Sequence, residues 1–467
     1  MSTSYLAFDL GASSGRAILG TLNGGTMHMD ELHRFETKIV EDHGSLFWDI
    51  DSLWQDMEVG LEHALKRAPN LRSLSVDSWA VDYVPLDATG SALRNPFCYR
   101  DPRTKDSIEA VYARVSAAEI YRNTGIQFLP FNSIFQIYED QLARPDEVGK
   151  TSTRLLIADY FNYRFSGQPV IEVSNASTTQ LVNPVIRNWS EDLIRDLGFS
   201  MSRFPIIVDS GTVFPPTESS GGVSVVSGLS HDTAAAIAAI PADDSKPWLF
   251  LSSGTWSLLG AEIHSPILTA EAFEESYTNE LGLNQTVRFL KNMTGMWALE
   301  ECIRVWREEG HDIGYTELMD QAEAAGPCDG VVDLDAPEFG ERGDMEAKIR
   351  AAADRQGIGP LTDRASLVRL ILESLAQNYA EKVQILKRFV PVPTDTILHI
   401  VGGGSKNALL NQLTANSCGL EVVAGPAESS ALGNLLVQAR SMGDLQQDET
   451  IRGIARNSTD LTRFSPQ

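Results

Sequence analysis

Three short stretches carry the residues best suited to chemistry. In "GLSHDTAAAIAAI", residues 228–240, Asp232 stands at the start of an alanine-rich helix, between His231 and Thr233. A carboxylate there can cap the helix, or act as a general base pointed into a cleft and held by the helix end; the two roles are compatible. In "YLAFDLGASSGRAILG", residues 5–20, an apolar run meets a cluster of small residues and then Arg16. No lysine follows Gly11 or Gly15, so this is no P-loop, and "RAILGTL" has strand rather than helix composition, so it is no dinucleotide fingerprint. What remains is a hairpin whose turn offers backbone N–H groups, the Ser13 and Ser14 hydroxyls and the Arg16 guanidinium. It is either a plain turn with a surface arginine or a cradle for phosphate oxygens. Gly402, Gly403 and Gly404 after "ILHIV" pose the same choice, between a tight strand-to-helix turn and a place where a phosphate or planar ligand approaches the backbone. "GGGSKN" lacks the spacing of a nicotinamide site. Asp77 and Asp82 in "DSWAVDY", and Arg100, Asp101 and Arg103 in "YRDPRT", read most simply as turn and ion-pair residues. Trp48, Trp54 and Trp79 read as core.

The elements that must position these residues follow from periodicity. "YLAFDL", "RAILGTL" and "SLFWDI" are β-rich, and "DSLWQDMEVGLEHALKRA" repeats Leu53, Met57, Leu61 and Leu65 every four residues, a helix that Asp51 or Ser52 could cap. "LRSLSVDSWAVDYVPLD" is a strand ending at a turn. Proline and acidic residues at 241–247 interrupt the apolar pattern before a fresh strand at Trp248, which places a domain junction near residue 240 and predicts domains of 1–240 and 241–467. From Trp248, "WLFLSSGTWSLLGAEI" echoes the opening plan of strand, small-residue turn and strand, which suggests a duplicated domain. Met296, Leu299, Ile303 and Trp306 mark a buried helix stripe. Residues 326–362, rich in Gly, Pro, Asp and Glu, read as an insertion or long loop. Ile371, Leu375, Tyr379 and Val383 line one face of a long core helix. "ILHIVGGG", "SKNALLNQLTANSCG" and "LEVVAGP" form a βαβ unit whose helix ends at Gly419, and "SSALGNLLVQARSMG" is a last helix. Strands alternating with helices imply α/β layering.

The 467 residues exceed one ordinary domain, and 43% apolar with 22% charged content suits a globular protein with sizeable cores. A net charge of −25 disfavours nucleic acid or an anionic membrane as partner, while leaving an anionic small molecule open. No signal-peptide pattern is visible at the start and no run of roughly 18 apolar residues occurs. The expected location is the cytoplasm. The four cysteines, Cys98, Cys302, Cys328 and Cys418, lack metal-site spacing and read as reduced thiols.

Taken together, "DLGASSGR", "DSWAVDY", "YRDPRT", "GIQFLPFN", "NASTTQL", "SHDTA", "LSSGTWSL", "LKNMTG", "HIVGGGSKNALLNQL" and "AGPAESSALGN" resemble the FGGY family of carbohydrate kinases from one end of the chain to the other. The resemblance implies two actin-like (ribonuclease-H-type) ATPase domains of α/β class with a deep cleft between them, the sugar held mainly by the first and ATP by the second. It carries nucleotide contacts onto Ala12, Ser13, Ser14, Gly15, Arg16, Thr255, Glu300, Gly402 and Gly403. Sugar contacts fall on Ala80, His231, Asp232, Thr233 and Asn292, the catalytic base on Asp232, and Asp9 lies near Mg²⁺ through water. Ala80 stands where the family commonly has glycine, and Glu300 where relatives can carry glutamine. The implied reaction is transfer of the γ-phosphoryl of ATP to the 1-hydroxyl of L-rhamnulose. A kinase for L-fuculose or D-xylulose, or a non-catalytic sugar- and ATP-binding regulator, are the alternatives. The implied partners are the sugar and ATP, in a monomer or small homo-oligomer.

Overall fold

The computed structural model describes residues 2–311 and 314–467. Contacts divide the chain into two compact units, one of residues 1–241, 262–289 and 429–458, the other of residues 242–261, 290–428 and 459–467.

In the first unit, β1 (Thr3–Leu10), β2 (Ser14–Asn23) and β3 (Thr26–Glu36) form an antiparallel meander, followed by α1 (Ile50–Arg67) and β4 (Ser73–Ser78), which runs parallel to β1. With β5 (Thr212–Phe214) and β6 (Ser224–Ser227) the sheet order is β3-β2-β1-β4-β6-β5. The short helix α2 (Asp232–Ala238) follows.

The second unit repeats this plan. β7 (Trp248–Ser253) pairs antiparallel with β8 (Trp256–Ile263), with β9 (Val287–Thr294) beyond it. After α3 (Trp297–Glu308) and α4 (Arg364–Leu386), β10 (Ile397–Val401) lies parallel to β7, then α5 (Ala408–Cys418) leads to the parallel β11 (Glu421–Ala424), and β12 (Thr462–Phe464) closes the edge antiparallel. The order β9-β8-β7-β10-β11-β12 matches the six strands of the first sheet, and a seventh strand, Thr278–Leu281, adds to the edge beyond β9. The hairpin echo seen in the sequence is therefore a repeat of topology. Finally α6 (Ser429–Ser441) returns to the first unit.

Period-two alternation on β1 decides where the chemistry goes. Leu6, Phe8 and Leu10 face the core containing Leu53, Met57 and Leu61 of α1. Tyr5 and Ala7 face the opposite core, built with Ala234 and Ala235 of α2 and Leu432, Leu435 and Leu436 of α6. Asp9 continues this second row, so its carboxylate belongs to the face covered by α2 and α6. Burial of each such Leu or Phe contributes about 1.5–3 kcal/mol, which fixes the register.

Local expectations needed correction at two points. Asp49, not Asp51 or Ser52, caps α1, accepting from the Ser52 N–H at 3.0 Å, because the helix begins one residue early at Ile50. Residues 326–362 are not loop throughout: Met345–Gln356 is a helix with Met345, Ile349, Ala352 and Ala353 buried, an apolar stripe hidden by the acidic composition around it. Gly419 does close α5, in the left-handed conformation at φ 64°. Cys98, Cys302, Cys328 and Cys418 are all free thiols.

Candidate active site

In the first unit Asp232 begins α2, and the position before the helix belongs to His231, whose side chain caps nothing. Oδ1 of Asp232 accepts from the Thr233 N–H at 2.5 Å and from Thr233 Oγ1 at 3.1 Å. Oδ2 accepts no hydrogen bond from the described residues, and the side chain is 32% exposed. One oxygen is thus anchored while the other is available to a ligand. Burial, and next the Asp9 charge, push the carboxyl up to about 7, with the Thr233 bonds opposing. A carboxylate poised there is suited to proton transfer near neutral pH.

Asp9 and Asp77 are direct partners in the parallel β1–β4 pair. Arg16 Nη2 donates to Asp9 Oδ2 at 2.5 Å. Asp77 is fully buried, and Asn434 of α6 donates to its Oδ2 at 2.5 Å. One turn on, Gln438 donates to Asn434 Oδ1 at 2.7 Å and to the Leu6 carbonyl at 3.0 Å, and accepts from Ser73 Oγ at 2.7 Å. Oδ1 of Asp77 is buried without a hydrogen-bond partner. Burial first, then the Asp9 charge, hold Asp77 well above the ordinary carboxylate range, which favours its protonated form. Hard carboxylate oxygens at adjoining strand ends, one of them orphaned, fit an oxygen-seeking divalent cation that takes its remaining ligands from phosphate and water. No cluster of three or more His, Cys, Asp or Glu able to hold a metal occurs among the described residues.

The loop before α2 is held from beneath. Ser78 N–H donates to the Ser230 carbonyl at 3.0 Å, and Ser230 N–H donates to Glu172 Oε2 at 3.2 Å. His231 is buried, and burial followed by the Arg288 charge keep it well below the imidazole range, hence neutral.

Beyond Ser78, Ala80 opens a three-residue turn closed by the Asp82 N–H on the Ala80 carbonyl at 2.9 Å. Its centre is Val81 at φ 68°. A β-branched residue there is strained by about 1–3 kcal/mol. Asp82 ends this turn, as read, but its side chain makes no ion pair among the described residues: fully buried, it accepts from Trp48 Nε1 (2.6 Å), Trp79 Nε1 (3.1 Å), the Tyr99 N–H (3.0 Å) and Gln136 Nε2 (2.8 Å). Ser133 Oγ adds a bond to the Val81 carbonyl at 2.5 Å. Burial raises Asp82 to about 6 despite these donors. Trp48, Trp54 and Trp79 are core, as read.

The turn of the first hairpin is closed by Gly11 N–H on the Ser14 carbonyl at 3.0 Å, and Thr37 Oγ1 donates to the Gly11 carbonyl at 2.7 Å. Ala12 and Ser13 lie in this turn, and Ser14 opens β2. A side chain at Gly15 would collide with the Phe35 ring, so packing demands that glycine.

In the second unit, the Gly254–Thr255 turn is clamped to the start of α3: Met296 N–H donates to the Gly254 carbonyl at 2.8 Å and Trp297 N–H to the Thr255 carbonyl at 3.3 Å. Thr255 Oγ1 donates to Glu300 Oε2 at 3.0 Å. Gly402 has φ 81°, and a Cβ there would lie 2.8 Å from the Ser253 carbonyl, whereas Gly403 meets nothing and leaves its backbone open. Asn292 lies on the part of β9 that belongs to the second unit, and Ala80, His231, Asp232 and Thr233 belong to the first.

Models of the N- and C-terminal domains of the FGGY family of carbohydrate kinases match residues 4–239 and 249–442. The chain belongs to this family. The kinase is 37% identical to a rhamnulokinase of Bacteroides thetaiotaomicron, over 100% of this chain and 96% of the relative, and 36% identical to one of Bacillus subtilis, over 99% and 95%. Its fold is that of a gluconate kinase from Lactobacillus acidophilus (TM-score 0.81, 17% identity, covering 100% of this chain and 94% of that one). It matches likewise a glycerol kinase from Plasmodium falciparum with ADP (TM-score 0.78, 16% identity, covering 100% and 94%). The kinase is an α/β enzyme of two actin-like domains that uses a sugar and ATP. No helix among the described residues is long and apolar enough to cross a membrane.

The buried polar residues packed around these side chains, Asp77, Asn434, Glu172, Glu280 and Arg288, were not among the site residues read from the sequence. One signal was there: "SLSVDS" alternates Ser73, Ser75 and Asp77 against Leu74 and Val76, a polar row on a strand that must be buried on both faces.

Proposed function

We propose that the kinase transfers the γ-phosphoryl group of ATP to the 1-hydroxyl of L-rhamnulose, giving L-rhamnulose 1-phosphate and ADP, and that it works in the cytoplasm as a monomer or small homo-oligomer. The single observation that carries this reading is the full-length match, at 35–37% identity, to rhamnulokinases of several bacteria. Asp232 accepts the hydroxyl proton through its unengaged Oδ2 as the sugar oxygen attacks phosphorus in line and the bond to the ADP oxygen breaks. Thr233 fixes the other oxygen, which removes rotation of the carboxylate as a cost of reaching the transition state. His231, Thr233, Asn292 and the Ala80 turn hold the sugar. The amides of the Ala12–Gly15 segment and Arg16 bear on the transferring group, where fixed donors stabilise developing charge. Thr255, Glu300, Gly402 and Gly403 serve the nucleotide. Asp9, through water, and Asp77 behind it would hold Mg²⁺, which when bound supplies neutralisation of the β- and γ-phosphate charge.

A coupled ADP-release assay over L-rhamnulose, L-fuculose, D-xylulose and glycerol tests the reading. Release with L-rhamnulose at the highest kcat/KM is the expected result. Preference for another sugar by tenfold or more would reassign the substrate, and sugar binding without release from any would support a regulator.

A further inference from the structure

The interior behind His231 holds an ion pair that the reaction scheme leaves unused. Glu280, on the strand Thr278–Leu281, and Arg288, on β9, have side chains 8% and 1% exposed, and Arg288 Nη1 lies 3.0 Å from Glu280 Oε2. Arg288 Nη2 donates to the Leu281 carbonyl at 3.3 Å and stands 3.2 Å from His231 Nδ1. A guanidinium has only donors, so Nδ1 is the acceptor and the neutral ring carries its proton on Nε2. That nitrogen is 3.5 Å from Asp232 Oδ1, too far for a good hydrogen bond, and therefore keeps its proton for a ligand. Glu280 Oε2 is also 3.5 Å from Nδ1. Without Arg288, the acceptor oxygen of Glu280 would face Nδ1 with no donor between them, and the ring would turn its proton toward it.

We propose that Arg288, held in place by Glu280, is a positioning residue that locks His231 in the Nε2–H tautomer and so presents an N–H donor to a hydroxyl oxygen of the sugar beside Asp232. A buried pair of opposite charges is costly to assemble and is weak support for stability on its own. Here its geometry does something that an apolar pair could not, which is to choose between two tautomers of a neighbouring ring. The sugar contact rests on the kinase reading above; the tautomer does not.

The test is two-bond ¹H–¹⁵N correlation spectroscopy of the full-length protein labelled at histidine, at pH 7.5, with the His231 signals assigned by loss in His231→Asn. Wild type is expected to show Nδ1 bare and Nε2 protonated. Arg288→Met is expected to move the proton to Nδ1 and to raise the sugar KM about tenfold, the loss of one hydrogen bond, with the ATP KM unchanged. Arg288→Lys, which restores a donor, is expected to return the wild-type tautomer. A wild-type ring protonated on Nδ1, or a folded Arg288→Met retaining the wild-type tautomer, overturns the proposal. Should Arg288→Met fail to fold, the wild-type spectrum alone decides. The expected tautomer in a protein that phosphorylates no sugar would sink the substrate reading and leave this one standing.

Discussion

Asp82→Asn should leave stability near neutral pH almost unchanged while abolishing a specific part of its pH dependence. The carboxyl is fully buried and raised from 3.8 to about 6. A shift of about two units corresponds to roughly 3 kcal/mol favouring the protonated form in the fold. Because the folded value is the higher, that stability is fully present below pH about 4 and is lost as pH rises through about 6. Asparagine removes the buried charge, a gain of about 3 kcal/mol at pH 8, but turns an NH₂ group toward donors and strands one or two of the four N–H partners at about 1–3 kcal/mol each. The two nearly cancel. Urea unfolding followed by tryptophan fluorescence, compared between wild type and variant at several values from pH 4 to 8, measures the difference; Trp48 and Trp79, whose indoles donate to Asp82, report on the site itself. The expected result is a variant about as stable as wild type at pH 8 and about 3 kcal/mol less stable at pH 4, relative to the parent. A constant offset at every pH, or a loss beyond about 5 kcal/mol at pH 8, would refute the view of Asp82 as a desolvated carboxylate clamping a strained turn.

Val81→Gly should relieve the strain at φ 68° and raise stability by up to about 1 kcal/mol after the entropy cost of glycine, while loosening the Ala80 turn and raising the sugar KM, both measurable on one preparation. The kcat/KM for sugar should fall tenfold per unit below pH 7, because Asp232 acts ionised and titrates at about 7; a flat profile from pH 5 to 8 would show that another group limits. Arg16→Ala should raise the ATP KM and lower kcat by about 10- to 100-fold in total, since a charge-assisted donor is lost; unchanged ATP kinetics would return the first hairpin to a plain turn. Glu300→Gln should lower the ATP KM about two- to threefold, by removing an exposed negative charge that accepts from Thr255 without losing the bond.

Local pattern made much of this legible. The alternation of "YLAFDL" and the small-residue turns pointed to both hairpins. Asp232 announced itself because an acidic residue opening an alanine-rich helix is conspicuous. What stayed hidden depends on distance along the chain. Asn434 reaches Asp77 across 357 residues and Arg288 reaches His231 across 57, and neither pairing leaves a local trace. The second half also returns to the first unit through residues 262–289 and 429–458, which no composition change announces. Val81 at positive φ was equally invisible, since its residue type argues against that conformation and four donors to the next side chain enforce it. That the Asp82 side chain does more than end a turn was hidden for the same reason: its partners Trp48, Tyr99 and Gln136 lie well away in sequence.

The central claim is that Asp232 takes the proton from the sugar hydroxyl during phosphoryl transfer. Steady-state kinetics of Asp232→Asn with L-rhamnulose and ATP, on protein shown by circular dichroism to be folded, tests it most directly. The asparagine keeps the anchoring bond from Thr233 and loses only the basic oxygen. A fall in kcat of about 10²–10⁴-fold with the sugar KM within a fewfold of wild type is the predicted result. Turnover near the wild-type rate would contradict it.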